Sequence, residues 1–146
     1  MNLGQDADID LAVGIVPVIS KQQISAINVD ADYLTAKGRS YDVLLDSNSD
    51  NSKSKFKIDF YQTYHTLLEK QSALGSAQQK LTAADSKFKI SELKYKMSSI
   101  SLLQYEADKS EYLSQQIAVE IAEETLTQAY RAYEWANLGL IVSAGY

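Results

Sequence analysis

The chain has 146 residues, of which 45% are hydrophobic and 23% are charged, and its net charge is −5. The length suits one domain, and the acidic balance argues against nucleic-acid binding, which depends on basic surfaces. There is no cysteine, which excludes a disulfide framework and a thiolate metal site. No apolar run is long enough to predict a membrane-spanning helix, and residues 1–5 have neither the basic start nor the apolar stretch of a signal peptide.

The first part of the chain, residues 1–28, is predicted to be an extended connector without helical regularity. Apolar residues alternate with small or acidic ones from Ile9 to Ile15, and Val16-Pro17-Val18 follows. This period of two with β-branched residues is typical of a short strand, and Pro17 suits an edge because it lacks a backbone donor. We therefore expect one extended segment within residues 9–18, which has to pair with another chain or lie on a helix.

The rest of the chain is predicted to form one coiled-coil domain of three helices, with Asn28 or Asp30 as the cap of the first. The polar stretch after the first helix, residues 46–54, is predicted to be a loop. The domain is expected to span residues 29–146, with helices near 29–46, 55–97 and 101–138.

The predicted loop partly matches the pattern of a calcium-binding loop, in which acidic or amide side chains alternate with other residues. The glycine and the bidentate glutamate that the pattern requires are replaced by Asn51 and Lys57, and a cation cannot act as a calcium ligand. We therefore expect a solvated loop and no metal site. The three residues at ligand positions are Asp46, Asn48 and Asp50.

The two long helices each carry an apolar repeat with a strict period of seven. Such repeats keep one stripe facing a partner helix and impose a left-handed supercoil. The sequence therefore predicts an all-α fold, a long antiparallel coiled-coil hairpin with a shorter third helix and the short N-terminal extended segment. The repeat residues are Phe60, Leu67, Leu74, Leu81, Phe88 and Tyr95 in one helix and Tyr105, Tyr112, Val119, Leu126, Tyr133 and Leu140 in the other. The three helices are expected to meet around Leu67, Leu74, Leu126 and Tyr133.

The charges of the two long helices are opposite in sign. Residues 53–97 hold nine lysines against four acidic residues, and residues 101–138 hold two basic residues against seven acidic ones. Helices of opposite charge attract each other, but an exposed ion pair contributes only about 0–1 kcal/mol. Charge is therefore expected to guide the pairing of the helices rather than to supply stability.

The sequence contains no catalytic or cofactor-binding constellation. His65 is the only histidine and lies between Tyr64 and Thr66, so a histidine on a helix surface is a simpler interpretation than a general base. Glu123 and Glu124 cannot act as paired carboxylates, because adjacent residues on a helix do not face each other. No glycine-rich phosphate loop and no Glu-x-x-His pair occur. We therefore expect a protein that is not an enzyme and has no catalytic, cofactor or metal site.

The turn of the hairpin is the candidate site for a protein partner. It is the point farthest from the shorter third helix, so its apolar side chains cannot be buried within the chain, and it has more of them than a loop needs. Interleaved serines add hydrogen-bonding groups. The alternative is that Ile100 and Leu103 only close the hairpin by packing across it. The predicted partner-binding residues are Met97, Ser98, Ser99, Ile100, Ser101, Leu102 and Leu103.

Several stretches of the chain resemble the TolC-like outer-membrane efflux family. Residues 60–68 (FYQTYHTLL) look like the aromatic cluster with Leu-Leu that opens its first long helix. Residues 94–105 are similar to its turn pattern Lys-Tyr-x-x-Gly-x-Ile-Ser-x-x-x-Tyr, with Ser98 at the position of the glycine. Residues 129–141 are similar to the ends of its repeats, and residues 2–6 resemble the segment that leads from one repeat to the next.

The resemblance implies one helical repeat of a trimeric duct in the cell envelope, with a role in efflux or secretion and a hairpin tip that meets a periplasmic adaptor protein. The family inserts barrel strands between paired helices, whereas residues 46–55 are too short and polar to supply them, so the chain looks like a repeat without its membrane barrel. The alternative is a stand-alone coiled-coil scaffold or interaction module with no transport role. A duct segment should have a further interface on its flanks, whereas a scaffold should be a monomer or a closed dimer.

Overall fold

The structure is a computed structural model that describes residues 19–45 and 50–141. The regular elements in these ranges are all helices, which confirms the predicted all-α fold for this part of the chain. None of them has both the length and the apolar character that crossing a membrane requires. The expected extended segment within residues 9–18 lies outside the described residues. The helices are α1 (Lys21–Ser25), α2 (Val29–Lys37), α3 (Tyr41–Leu45), α4 (Asp50–Lys96) and α5 (Leu102–Asn137).

Helices α4 and α5 pack against each other as the predicted long antiparallel hairpin. Beside the turn, Tyr95 stacks on Tyr105 with ring centroids 4.8 Å apart. Helix α4 has 47 residues, so it is about 70 Å long at a rise of 1.5 Å per residue. Asn28, one of the two predicted caps of the first helix, accepts a backbone hydrogen bond at the start of α2, and Ser101 does the same at the start of α5.

The single helix predicted near 29–46 is interrupted and forms two helices, α2 and α3. Helix α2 is capped by Gly38, and the backbone that follows packs against Gly139, beyond the end of α5. A Cβ atom on Gly139 would lie only 2.7 Å from the Arg39 carbonyl carbon and the Ser40 nitrogen. The prediction of one continuous helix was wrong at this point. The break after α2 brings the backbone of Arg39 and Ser40 against Gly139, and the local sequence does not reveal this contact.

Two helices begin earlier in the chain than the sequence patterns indicated. Helix α1 lies within residues 1–28, the predicted connector, where Ser20 and Gln23 form a capping box with reciprocal side chain to backbone hydrogen bonds. Helix α4 begins at Asp50, within the predicted loop at 46–54. Asp50 in the first turn of α4 is favoured there by the positive end of the helix dipole.

The buried core lies at the end of the hairpin away from the turn, which we call the base, where α1, α2 and α3 cover the two long helices. Leu67, Leu126 and Tyr133 are buried there as predicted, whereas Leu74 is half-buried and packs against the edge of the core. In the distal half of the hairpin, toward the turn, buried apolar groups are few. The apolar core residues are Ile24, Ala36, Val43, Phe56, Phe60, Leu67, Leu126, Ala129, Tyr133 and Ala136.

Two hydrogen bonds between phenols and carboxylates hold α2 on the hairpin, and we call them the base clamp. Tyr61 of α4 donates to Asp30 at 2.5 Å, and Tyr133 of α5 donates to Asp32 at 2.7 Å. The bond to Asp30 raises the pKa of Tyr61 above its ordinary value of 10.0. The pKa of Tyr133 is also raised, first by burial and second by the hydrogen bond to Asp32. Helix α2 is therefore attached to both long helices at defined positions.

Candidate functional site

The turn between α4 and α5 is a Schellman motif with a serine in the left-handed position. Ser98 has φ = 56°, and its N–H donates to the Tyr95 carbonyl at 2.9 Å. The Ser99 N–H donates to the Lys94 carbonyl at 2.8 Å, which completes the motif. Glycine is the usual residue at such a position because other residues are strained there. The backbone therefore has the conformation that the glycine of the TolC-like turn pattern would favour, although this chain has Ser98.

The structure places all seven predicted partner-binding residues together at the end of the hairpin. Met97, Leu102 and Leu103 are exposed, Leu103 to 82%, and the serines between them are also exposed. Ile100 is half-buried, whereas Leu103 is so exposed that it has little packing across the turn. Exposed apolar side chains that are grouped in this way are typical of an interaction surface. We give the name tip surface to the exposed large apolar side chains at this end of the hairpin. They are three of the predicted residues, Met97, Leu102 and Leu103, together with Ile90 and Leu93 of α4.

Aromatic rings between the two long helices support the tip surface from inside. Tyr95 stacks on Tyr105, and one layer further from the turn Phe88 stacks on Tyr112 with ring centroids 5.4 Å apart. Phe88 also contacts Tyr105 at 5.8 Å, so the rings form a continuous series. Each aromatic pair contributes about 0.5–1.5 kcal/mol beyond the burial of its area. The tip surface therefore lies on packed helix ends rather than on a loose loop.

A buried polar cluster, which we call the Asp108 cluster, lies between the helices behind the tip surface. Asp108 is only 4% exposed and accepts hydrogen bonds from the Ser91 hydroxyl and, at 3.2 Å, from the Gln104 amide. The Lys87 ammonium lies 3.0 Å from the same carboxylate and 2.7 Å from Glu111. The Ser91 hydroxyl first, and Lys87 next, lower the pKa of Asp108 below its ordinary value of 3.8. Sequence reasoning missed this cluster. The signal for it was that Asp108 lies three residues after a repeat residue, a position that is alanine at 122, 129 and 136 further along α5.

The outer face of α5 carries an apolar stripe that the seven-residue repeat did not predict. Leu113, Ile117 and Ile121 are spaced by four residues, so they lie on one side of the helix, and all three are exposed. The spacing of four was visible in the sequence, but it falls outside the repeat that faces α4. The stripe therefore faces solvent within one copy of the chain. By their spacing of seven residues from the stripe, the exposed Glu106, Glu120 and Glu124 lie on the same side of α5, whereas Glu111 pairs with Lys87 of α4.

The side chains considered for catalysis or metal binding do not form a site in the part of the chain that the structure describes. His65 is exposed on α4 beside the ring of Tyr64, and Glu123 and Glu124 are both exposed. Within the described ranges, no group of three or more His, Cys, Asp or Glu side chains is arranged to hold a metal ion. Two of the three residues at ligand positions of the calcium pattern, 46 and 48, lie outside those ranges.

Comparison of the chain with models of known protein families, with characterised proteins and with solved structures finds no significant match. The function is therefore inferred from the residues and from their arrangement.

Proposed function

We propose that the chain is a helical-duct segment of a TolC-like envelope efflux or secretion channel, which docks a periplasmic adaptor protein through the tip surface and assembles side by side with further copies. The observation that carries this proposal is the tip surface, where large apolar side chains are exposed at the end of a hairpin about 70 Å long. The similarity of several stretches to the family adds support. The proposed role requires binding surfaces and no catalytic group.

The charge of the tip surface indicates what kind of partner fits it. The part of the tip surface nearest the turn, residues 93–105, contains Lys94 and Lys96 and no acidic residue, and Glu92 and Glu106 stand at its two ends. Lys96 is 3.1 Å from Glu92, whereas Lys94 has no ion-pair partner among the described residues. A partner helix that presents apolar side chains next to acidic ones complements this surface in both respects. The adaptor is therefore expected to contact the tip through an acidic and apolar helix face.

The outer faces of the hairpin support side-by-side assembly. The stripe of Leu113, Ile117 and Ile121 is flanked by glutamates, while α4 is rich in lysine. Placing α5 of one copy against α4 of the next would bury the stripe and bring opposite charges together, whereas α5 against α5 would bring like charges together. A contact between two different faces that is repeated from copy to copy can close into a ring. This arrangement agrees with the trimer that the resemblance implies.

The alternative function, a stand-alone coiled-coil scaffold, is favoured by a different observation. The apolar core at the base is formed within one copy, so the fold does not need a second copy to bury it. A scaffold would leave the tip surface and the outer stripe in solvent. The two functions therefore differ in whether the tip binds an adaptor and in whether the chain forms higher oligomers.

Docking is tested by substituting an exposed tip residue and a matched residue at the base. Leu103→Asp changes a tip side chain that is 82% exposed, and Leu34→Asp changes one on α2 that is 69% exposed. Binding to a purified periplasmic adaptor from the same organism is measured by calorimetry, and folding by thermal melting. We expect Leu103→Asp to weaken binding at least about tenfold and Leu34→Asp to leave it unchanged. Wild-type affinity in the Leu103→Asp variant, or no binding by the wild type, would remove the docking role.

Side-by-side assembly is tested by sedimentation velocity over a range of protein and salt concentrations. The wild type is expected to form oligomers that weaken as salt rises, because the contact includes complementary charges. Ile117→Asp places a charge in the outer stripe and should return the chain to monomers while its helical content stays the same. A wild type that remains monomeric at every concentration would favour the scaffold function.

A further inference from the structure

The apolar repeats do not by themselves define how α4 and α5 are aligned. In the observed alignment Tyr95 stacks on Tyr105, and Phe88 contacts both Tyr112 and Tyr105. Because both repeats have a period of seven, a slip of α5 by seven residues would bring Tyr105 to the place beside Phe88 that Tyr112 now occupies, and would keep every apolar layer except one. The connection beyond the last paired layer would become seven residues longer, and the entropy of loop closure grows only slowly with length. Apart from that one layer and the hydrogen bonds of the turn, the repeats therefore do not distinguish the two alignments.

The Asp108 cluster distinguishes the observed alignment from the slipped one. In the observed alignment, the Asp108 carboxylate meets the Ser91 hydroxyl and the Lys87 ammonium. After the slip, Asp108 would face Ala84, which is buried and has no side-chain donor. Lys80 would then take the place of Lys87, and Gln104, on the same helix, would still donate, so the slip removes the Ser91 hydroxyl alone. A buried carboxylate that loses a hydrogen-bond donor is left partly unsatisfied, which is unfavourable. The cluster therefore penalises the slipped alignment in the distal half of the hairpin.

The base clamp makes the same distinction at the opposite end of the hairpin. Helix α2 contacts α4 through Tyr61 and α5 through Tyr133, and both contacts are hydrogen bonds to its carboxylates. A slip by seven residues would bring Leu126 to the place of Tyr133, and leucine has no group that can donate to Asp32. The clamp therefore also penalises the slip.

We propose that the Asp108 cluster and the base clamp, rather than the apolar repeats, select the alignment of α4 and α5. A single buried polar residue is sufficient to specify register in some coiled coils, at a cost in stability. The alignment decides which residues form the turn, and so which side chains make up the tip surface. This inference does not depend on a transport role, because it concerns only the hairpin of one copy.

The alignment can be measured directly as the distance between two spin labels by pulsed electron paramagnetic resonance. The chain has no cysteine, so Ser72→Cys and Ser114→Cys, both at exposed positions, direct the labels to these two sites alone. Because Phe88 lies between Tyr105 and Tyr112, Ser114 is level with about residue 83 of α4. The labels are then about 16 Å apart along the hairpin axis, and a slip by seven residues reduces this to about 6 Å. Dilution with unlabelled protein removes distances between copies.

The two polar features are removed separately and together. Ser91→Ala with Asp108→Leu removes the cluster, and Tyr61→Phe with Tyr133→Phe removes the base clamp. Removal of either feature alone should leave the original label distance as the only one, because the other feature still favours the observed alignment. The four substitutions together should add a second, shorter distance. A matched control, Asp108→Asn without the base clamp, keeps hydrogen-bonding groups between the helices and should show the original distance alone. A second distance in this control, or the original distance alone in a helical fourfold variant, would overturn the proposal.

A relocated cluster keeps the proposal testable if the fourfold variant does not fold. Ala84→Ser with Ser91→Ala moves the hydroxyl seven residues toward the base, where Lys80 takes the place of Lys87 beside Asp108. In a chain that also lacks the base clamp, this variant offers the carboxylate its partners in the slipped alignment. We expect the shorter distance to predominate. Persistence of the original distance alone would show that the apolar repeats or the turn set the alignment, and would overturn the proposal.

Discussion

Gly139→Ala should destabilise the fold strongly although it adds only one methyl group. Gly139 has φ = 85°, in the left-handed region where a residue with a side chain costs about 1–2 kcal/mol. The new Cβ would also lie 2.7 Å from the Ser40 nitrogen and the Arg39 carbonyl carbon, which belong to the backbone and cannot rotate away. Overpacking of this kind costs about 1–3 kcal/mol. The free energy of unfolding should therefore fall by roughly 2–5 kcal/mol in all.

Gly75→Ala is the matched control, because it makes the same chemical change at a position where the added methyl group has space. Gly75 lies inside α4, and an added Cβ would meet nothing within 4 Å. Alanine favours a helix over glycine, so this variant should be more stable by about 0.5–1 kcal/mol. Urea denaturation monitored by circular dichroism measures the change in the free energy of unfolding for both variants. If Gly139→Ala unfolds at the same urea concentration as the wild type, the close approach to Arg39 and Ser40 is not present, and the explanation of the break between α2 and α3 fails.

Two further substitutions test the turn and the base clamp. Ser98→Gly should raise the free energy of unfolding by about 0.5–1 kcal/mol, because glycine relieves the left-handed φ of the turn, and a loss of stability in urea would contradict that geometry. Tyr133→Phe should lower stability at neutral pH by about 0.5–1.5 kcal/mol, because it removes the hydrogen bond to Asp32. Since folding raises the pKa of Tyr133 above 10.0, its contribution is complete below that pH and is lost as the pH rises further. The difference between variant and wild type should therefore narrow in urea titrations above about pH 10, and a difference that stays constant there would refute this account.

The hairpin and its ends could be predicted from the sequence by itself. Repeats with a period of seven mark one apolar stripe on each long helix, whatever lies elsewhere in the chain. The predicted ranges 55–97 and 101–138 lie close to the observed Asp50–Lys96 and Leu102–Asn137. The caps at Asn28 and Ser101 depend on hydrogen bonds within three residues, so local sequence determines them as well. The turn was expected between Tyr95 and Tyr105, where both repeats are interrupted.

Only the tertiary structure decided the features that depend on residues far apart in the chain. The break after α2 depends on Gly139, about a hundred positions away, and the burial of Asp108 depends on Ser91 and Lys87 of the other helix. Leu74 has the same place in the repeat as Leu67, yet it is half-buried because it lies at the edge of the core at the base. A periodic pattern shows which face of a helix is apolar, but it does not specify which residue of another helix lies opposite. That opposite residue determines whether a methyl group fits, whether a carboxylate finds a donor, and whether a leucine is covered.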